Sequence, residues 1–136
     1  MALTSKSLIL YGFEVDVTNY ALDFKTSALG AEKQASLRYG FYSLTSLCDE
    51  VIRALTEADP SNIYTYTIDR TISGGTQNRV TIYTSGAFLS LLFASGSRAS
   101  ASVGPLLGYT ATDKTGATNY TGQTTAGTTI QPEYIG

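Results

Sequence analysis

The sequence predicts an α+β domain in which one main amphipathic helix packs on an antiparallel β-rich sheet, followed by an extended C-terminal arm. Segments in which apolar and polar residues alternate, with the two-residue period of half-buried strands, lie on both sides of one segment with helical apolar spacing. Strands grouped around a single helix favour an antiparallel sheet covered on one face. A chain of 136 residues fits one domain, which buries roughly two thirds of the surface that its unfolded chain exposes.

The strands predicted before residue 40 are short and follow one another closely. Leu8 begins a β-rich run, and beyond Gly12 apolar residues alternate with acidic and polar ones. Asn19 can turn the chain, so we expect the next alternating segment to pair antiparallel with the first. The predicted strands are residues 8–17, either as one strand bent at Gly12 or as two, then 20–25 and, after a loop, 35–39.

One segment has the periodicity of an amphipathic helix, which is predicted over residues 44–57. Ser43 can supply the N-cap oxygen, and Asp59-Pro60 ends the helix because the residue before proline disfavours helical angles. Cys48 lies on the apolar face and is expected to be a small buried hydrophobe. The residues expected to pack on the sheet are Leu47, Val51, Ile52 and Leu55.

Beyond the helix the sequence predicts a hairpin and a central strand. Two alternating segments, residues 64–69 and 79–83, flank Gly74-Gly75, which is typical of a hairpin with a long loop. Residues 88–93 are apolar on both faces, as expected of a strand in the middle of a sheet. Residues 97–103 are expected to form a short helix.

A change of composition divides the chain into a core domain, residues 1–109, and a C-terminal arm, residues 110–136. The arm is rich in Thr and Gly and cannot bury enough apolar surface to offset its own ordering entropy. We expect it to be ordered against a partner subunit, with an alternative in which it folds back and closes an edge of its own sheet. The candidate interface residues at its tip are Ile130, Pro132, Tyr134 and Ile135.

The sequence predicts no catalytic residue, no small-molecule substrate and no enzymatic activity. It contains no histidine, so the commonest general base and the commonest metal ligand are missing together. The lysines lie in polar contexts rather than in apolar pockets that would activate them. Two pairs of carboxylates, Glu14 with Asp16 and Asp49 with Glu50, have structural explanations on a strand and at a helix start.

No cofactor or metal site is predicted either. Gly74-Gly75 lies between strands rather than before a helix, unlike a phosphate-binding loop. Residues 113–116 lack the alternating ligands of a calcium loop and are expected to form a plain turn. A single cysteine excludes an internal disulfide and any cysteine-based metal cluster.

Composition points to protein partners. Charged residues make up 15% of the chain and the net charge is −2, so nucleic acid is not an expected partner. The longest apolar run is far shorter than the ~20 residues of a membrane span, and we expect neither membrane insertion nor an export signal. A weakly charged surface suits packing against other copies of the chain, because a buried unpaired charge is costly.

An ordered set of short motifs, between Tyr39 and Gly122, resembles small structural virion proteins of tailed bacteriophages, especially tail, baseplate and fibre-linked components. A Gly-aromatic-Tyr-Ser step precedes the helix, and the Tyr-rich hairpin and the apolar strand follow it. Most members have Phe where this chain has Tyr109. The motifs are Gly40-Phe41-Tyr42-Ser43, Phe88-Leu89-Ser90-Leu91-Leu92-Phe93 with Gly96, Leu106-Leu107-Gly108-Tyr109, Asp113-Lys114-Thr115-Gly116 and Tyr120-Thr121-Gly122.

The resemblance implies a structural subunit of the virion that acts through self-assembly and contacts with other virion proteins. It transfers no catalytic or binding residue, because the shared pattern is architectural. Two alternatives stay open. One is a head decoration or head–tail connector protein, and the other is a carbohydrate-binding module, which ten tyrosines would suit because tyrosine rings stack on sugars.

Overall fold

The computed structural model describes residues 7–69, 78–123, 126 and 129–134. It confirms the α+β class, with one α-helix and several antiparallel sheets. The elements are β1 Ser7–Val15, β2 Ala21–Lys25, β3 Lys33–Ser36, β4 Gly40–Tyr42, α1 Leu44–Ala58, β5 Tyr64–Asp69, β6 Arg79–Thr84, β7 Leu89–Leu91, a 3-10 turn Ala99–Ala101, β8 Lys114–Ala117, β9 Asn119–Thr121 and β10 Thr129–Tyr134.

Three small sheets surround one apolar core. Their strand orders are β3-β2-β7-β8, β5-β6-β9 and β10-β1-β4, and all pairings between named strands are antiparallel. The predicted hairpin is confirmed as the β5–β6 pair, although its Gly74-Gly75 turn lies outside the described residues. The predicted central strand is also confirmed, as the shorter β7 between β2 and β8.

The helix forms where its periodicity places it, one residue longer than expected. Ser43 Oγ accepts a hydrogen bond from the Ser46 backbone N–H at 3.1 Å, which satisfies one of the free donors of the first turn. Leu47, Val51 and Leu55 are fully buried, and Ile52 packs half-buried at the edge of the core. The helix contacts β3, β5, β1 and β4, so it joins all three sheets.

The expected pairing of the first two strands is wrong. β1 is a single strand that pairs with β4 and β10, whereas β2 pairs with β3 and β7. Between them Asp16 Oδ1 accepts a hydrogen bond from the Thr18 N–H, and the Asn19 side chain donates to the Glu14 carbonyl. This polar turn directs the chain into another sheet, where β2 is buried by strands on both sides.

Two other segments are shorter or displaced. The helix expected over residues 97–103 is one 3-10 turn, and the strand expected over residues 35–39 is β3, which ends at Ser36. The plain turn expected at residues 113–116 is instead mostly β8. One extra residue in β8 bulges the ladder with β7, and Gly116 there has a φ of 95°, a conformation that glycine favours.

The division of the chain at residues 109 and 110 needs correction. β8 pairs with β7 and β9 pairs with β6, so both strands belong to sheets of the core. Their ladder hydrogen bonds attach to strands that are already ordered, which offsets the lack of large apolar residues. β10 pairs with β1 of the same chain, which is the pairing that the fold-back alternative predicts.

Candidate assembly surface

The sheet β10-β1-β4 carries two exposed aromatic residues at one of its edges. Tyr39 is 60% exposed and Phe41 is 43% exposed, and both flank or belong to the edge strand β4. Their separation of two residues places them on the same side of the extended backbone. Isolated exposed apolar residues are ordinary, but a neighbouring pair on an unpaired strand edge is typical of an interaction surface.

Both aromatic rings lie against neighbours in the fold. The Phe41 ring lies so close to Gly12 that an added Cβ atom would be 2.5 Å from it, and a larger residue at position 12 would displace the ring. Tyr39 meets Tyr20 edge to face with 5.9 Å between ring centroids. The Arg98 guanidinium lies 5.4 Å from the Tyr20 ring centroid, a cation–π contact.

β1 and β10 form a two-stranded ribbon next to this edge. Residues 7–12 of β1 pair with β10, whereas β4 pairs with β1 only from Phe13 to Val15. Directly opposed residues share a face of a sheet. The register therefore puts three predicted interface residues on one face with three residues of β1: Ile130 opposite Tyr11, Pro132 opposite Ile9, and Tyr134 opposite Ser7. Ile135 lies outside the described residues.

That face of the ribbon continues the core face of β1. Phe13 and Val15 are buried in the core and lie an even number of residues from Ile9 and Tyr11. The other face of β1 contains Glu14, which lies opposite Phe41 in the ladder. The apolar face of β1 thus continues beyond residues 13–15, the three residues that pair with β4.

The motifs that carry the phage resemblance are structural contacts. The buried Tyr109 hydroxyl lies 2.6 Å from the Tyr120 carbonyl and 3.1 Å from that of Val80, and burial raises the Tyr109 pKa well above its usual range. The Tyr120 hydroxyl donates to the Leu89 carbonyl at 2.7 Å. These bonds join β7 to β6 and β9.

Asp113 holds the loop that follows β7. Its carboxylate accepts hydrogen bonds from the backbone N–H groups of Ala94 and Ser95, at 2.8 and 2.9 Å, and from the Ser95 hydroxyl. Burial opposes ionisation, but the Ser95 and Ala94 hydrogen bonds outweigh it and lower the Asp113 pKa. This carboxylate is therefore a loop anchor, and its oxygens already have protein donors.

The carboxylates considered as catalytic pairs are also engaged in the fold. Asp16 accepts from Thr18, whose hydrogen bonds lower the Asp16 pKa. Asp49 accepts from the Tyr66 hydroxyl at 2.8 Å, and Glu50 binds Arg53 through two hydrogen bonds. Among the described residues, no group of three or more His, Cys, Asp or Glu side chains could hold a metal ion.

Two open clefts lie on the described surface. One, of about 430 Å³, has a lining without charged side chains: Thr18, Asn19, Ala99, Ser100, Ser102, Pro105 and Leu106. Another, of about 310 Å³, contains Lys25 and Asp113, and Asp113 is the loop anchor described above.

No protein-family model matches this sequence, and no curated protein matches it either. Within the residues that the structure describes, no helix combines the length and the apolar character needed to cross a bilayer.

Three of the four candidate interface residues lie in β10, at one edge of the sheet β10-β1-β4: Ile130, Pro132 and Tyr134. Sequence reasoning did not single out Tyr39 and Phe41, whose segment it assigned to a strand end and to the residues that lead into the helix. The sequence does contain a signal for an exposed edge strand here. Tyr39-Gly40-Phe41-Tyr42 comes directly before the helix N-cap, and a strand so close to a helix has little room for a neighbouring strand on its second edge.

Proposed function

We propose that this chain is a self-assembling structural subunit of a tailed-phage virion, in the tail, baseplate or fibre-attachment region. Its function is the set of contacts that it makes with copies of itself and with other virion proteins. The virion assignment rests on the ordered motifs from Gly40 to Gly122.

The observation that carries the assembly role is the pair of exposed aromatic residues on β4. Aromatic residues are enriched in the centres of protein interfaces, where a rigid ring buries a large area at little entropic cost. The Phe41 ring lies against Gly12, and the Tyr39 ring packs edge to face on Tyr20. A partner would therefore meet a preorganised surface.

The motif network supports the same role from inside the molecule. Three side chains form hydrogen bonds with backbone groups of neighbouring segments: Tyr109, Tyr120 and Asp113. A subunit repeated in a shell or a tube must keep one shape in every copy, and this network rigidifies the loops between the sheets.

Light scattering over a range of concentrations tests self-assembly. We expect the wild-type protein to form oligomers and the double variant Tyr39→Ser, Phe41→Ser to shift strongly toward the monomer. The matched control is Leu29→Ser, since Leu29 is fully exposed in the loop between β2 and β3, away from this surface. A wild-type protein that stays strictly monomeric at high concentration would contradict the assembly role.

Purified virions test the assignment to a phage particle. We expect mass spectrometry to find this chain in the particles at a fixed copy number, and gold-labelled antibodies to mark the tail or the baseplate. Labelling of the head or the neck would favour the decoration or connector alternative. A hit on a glycan array that disappears in Tyr39→Ser would instead favour carbohydrate binding, because Tyr39 is the most exposed tyrosine among the described side chains.

A further inference from the structure

Among the described strands, none pairs with the second edge of β1 along the β1–β10 ribbon. Along residues 7–12 the structure pairs β1 with β10 alone, and β4 begins its pairing only at Phe13. In the strand order β10-β1-β4 the open edge lies on the β4 side, next to the exposed ring of Phe41. A two-stranded ribbon is marginally stable in water, so a third strand would stabilise it.

The open edge has none of the residues that normally protect such an edge. Natural sheets discourage edge pairing with charged residues, especially lysine, and with proline. β10 on the other side of the ribbon contains Pro132 and Glu133, and the edge strands β3 and β8 contain Lys33 and Lys114. Residues 7–12 contain no charged residue and no proline.

We propose that a second copy of this chain pairs with that edge, residues 7–12 of one copy lying antiparallel to the same residues of the other. The result is a continuous β10-β1-β1-β10 sheet across a two-fold axis. An uncharged segment suits pairing with itself, because every charge in such a segment would approach a like charge across the axis. The inference rests on the proposed self-assembly and names its partner and its contact.

The symmetry fixes which residues meet. The two-fold axis must be perpendicular to the sheet, so each face of one ribbon continues as the same face of the other. Ile9 and Tyr11 then share a face with their copies, and Leu8 and Leu10 share the opposite face with theirs. The axis passes at Ile9, because an axis at Leu10 would bring Ser7 of the second copy opposite Phe13, which already pairs with Tyr42 of β4. Each Leu10 then lies opposite Leu8 of the second copy and about 7–8 Å, on the diagonal, from its Leu10.

Charge reversal at Leu10 provides the decisive experiment. Leu10→Lys and Leu10→Glu are prepared separately, checked for native circular dichroism, and weighed by light scattering alone and as a 1:1 mixture. Each variant alone should lose the dimer at concentrations where the wild-type protein is dimeric, because like charges then lie on the diagonal across the axis, on the same face of the sheet. The mixture should recover the dimeric mass, which a merely destabilising substitution would not produce.

The matched control is Gln131→Lys. Gln131 lies opposite Leu10 in the ribbon and on the same face, but in the strand away from the proposed partner. It should leave the dimer intact. If the Leu10 variants fold poorly, Leu10→Cys treated with a short bis-maleimide should yield crosslinked dimers, since the native Cys48 is buried and protected.

Three outcomes would overturn the inference: Leu10→Lys dimers as stable as the wild type, a mixture that stays monomeric although both variants fold, or no crosslink at Leu10→Cys. Oligomers that persist in the Leu10 variants but are lost in Tyr39→Ser, Phe41→Ser would leave the proposed function standing and remove only this contact. A strictly monomeric wild-type protein would count against both.

Discussion

Asp23 is a buried charge in the middle of β2. Arg98, which is distant in the sequence, forms an ion pair with it. Arg98 Nε and the Arg98 backbone N–H donate to the two carboxylate oxygens at 2.8 and 2.7 Å. The same guanidinium binds the Ala35 carbonyl and the Ser36 hydroxyl. The pair thus fastens the loop after β7 to β2 and β3, although nothing in the sequence spacing joins residues so far apart.

Removing Arg98 should be among the most damaging single changes in the described core. Arg98→Ala leaves the Asp23 carboxylate buried without its cation, which typically costs about 3–5 kcal/mol of unfolding free energy. Urea denaturation measures it, with Arg38→Ala as the control because the Arg38 side chain is exposed. The control should stay within about 0.5 kcal/mol of the wild type, and equal losses for the two variants would contradict this role of the pair.

The Tyr109 hydroxyl has a structural use that a phenylalanine ring would lack. Phenylalanine would fill the same space beside Phe93, whose ring stacks on Tyr109 with 5.0 Å between centroids. Only tyrosine has a hydroxyl proton for the Tyr120 carbonyl at 2.6 Å, with the Val80 carbonyl at 3.1 Å. We expect Tyr109→Phe to lower the unfolding free energy by about 1–2 kcal/mol.

Thermal unfolding checks the Tyr109 prediction. The control is Tyr39→Phe, which removes an exposed hydroxyl and should change the midpoint by less than about 2 °C. A Tyr109→Phe midpoint at or above that of the wild type would mean that the two carbonyls are satisfied in another way.

At the scale of elements, α1 was predictable because its signals are local. Six apolar residues in one stripe, the Ser43 cap and the Asp59-Pro60 stop all lie within the helix or beside it. Strand pairing is not local. β1 and β2 are adjacent in sequence and have the same alternation, yet they do not pair with each other. The two edges of β2 are hydrogen-bonded to β3 and β7, which lie farther along the chain.

Helix α1 should make the fold sensitive to acid through Glu50. Burial disfavours its charge, but hydrogen bonds from the Arg53 guanidinium and the Arg38 backbone N–H outweigh burial and hold the Glu50 pKa below its ordinary value. A lowered folded-state pKa stabilises the fold above the unfolded-state value of 4.5. That stabilisation is lost as the pH falls through the folded pKa.

Denaturation of Glu50→Gln measures this effect. At pH 7 the substitution should cost about 1.5–3 kcal/mol, the usual range for hydrogen bonds to a charged group. The difference from the wild type should shrink as the pH drops from about 5 to 3. Glu57→Gln is the control on the same helix, because Glu57 is 72% exposed and makes only one bond to Arg53 at 3.2 Å. A pH-independent cost for Glu50→Gln would contradict the linkage.

Leu47 tests the packing of the same helix. Its side chain is fully buried between the sheets, so Leu47→Asp places an unpaired carboxylate in the core. That cost is several kcal/mol against a total stability of roughly 5–15 kcal/mol, and the domain should unfold. Native-like circular dichroism of Leu47→Asp would refute the assignment, and Thr56→Asp on the exposed side of the helix is the control.

At the scale of the whole molecule, the change to a Thr- and Gly-rich composition after residue 109 was a poor guide to where the domain ends. Residues 114–121 contain one large aromatic residue, Tyr120, and no large aliphatic one, yet they form β8 and β9. A strand added to an existing sheet needs backbone partners more than an apolar face. The candidate site was likewise only partly predictable from the sequence. Ile130, Pro132 and Tyr134 form an apolar cluster that the sequence shows directly. The edge position of Phe41 depends on the pairing of β1 with β4, which the sequence does not show.

The position of β10 leads to a test of the whole architecture by truncation. Deleting residues 127–136 removes the six residues that pair with β1 from Ser7 to Gly12. If β10 stabilises its own subunit, the thermal midpoint measured on dilute protein should fall by about 5 °C or more, since roughly 1 kcal/mol shifts the midpoint of a domain of this size by a few degrees. Deleting only residues 135 and 136, which lie beyond β10, is the control and should leave the midpoint unchanged.

The truncation also predicts a change in association. With β10 removed, residues 7–12 have two unprotected edges instead of one, and an uncharged strand that is open on both sides can pair in both directions. The truncated protein should therefore form species larger than the wild-type oligomer, or precipitate. A truncated protein that keeps its midpoint but becomes strictly monomeric would reverse the conclusion, because β10 would then act between subunits rather than within one.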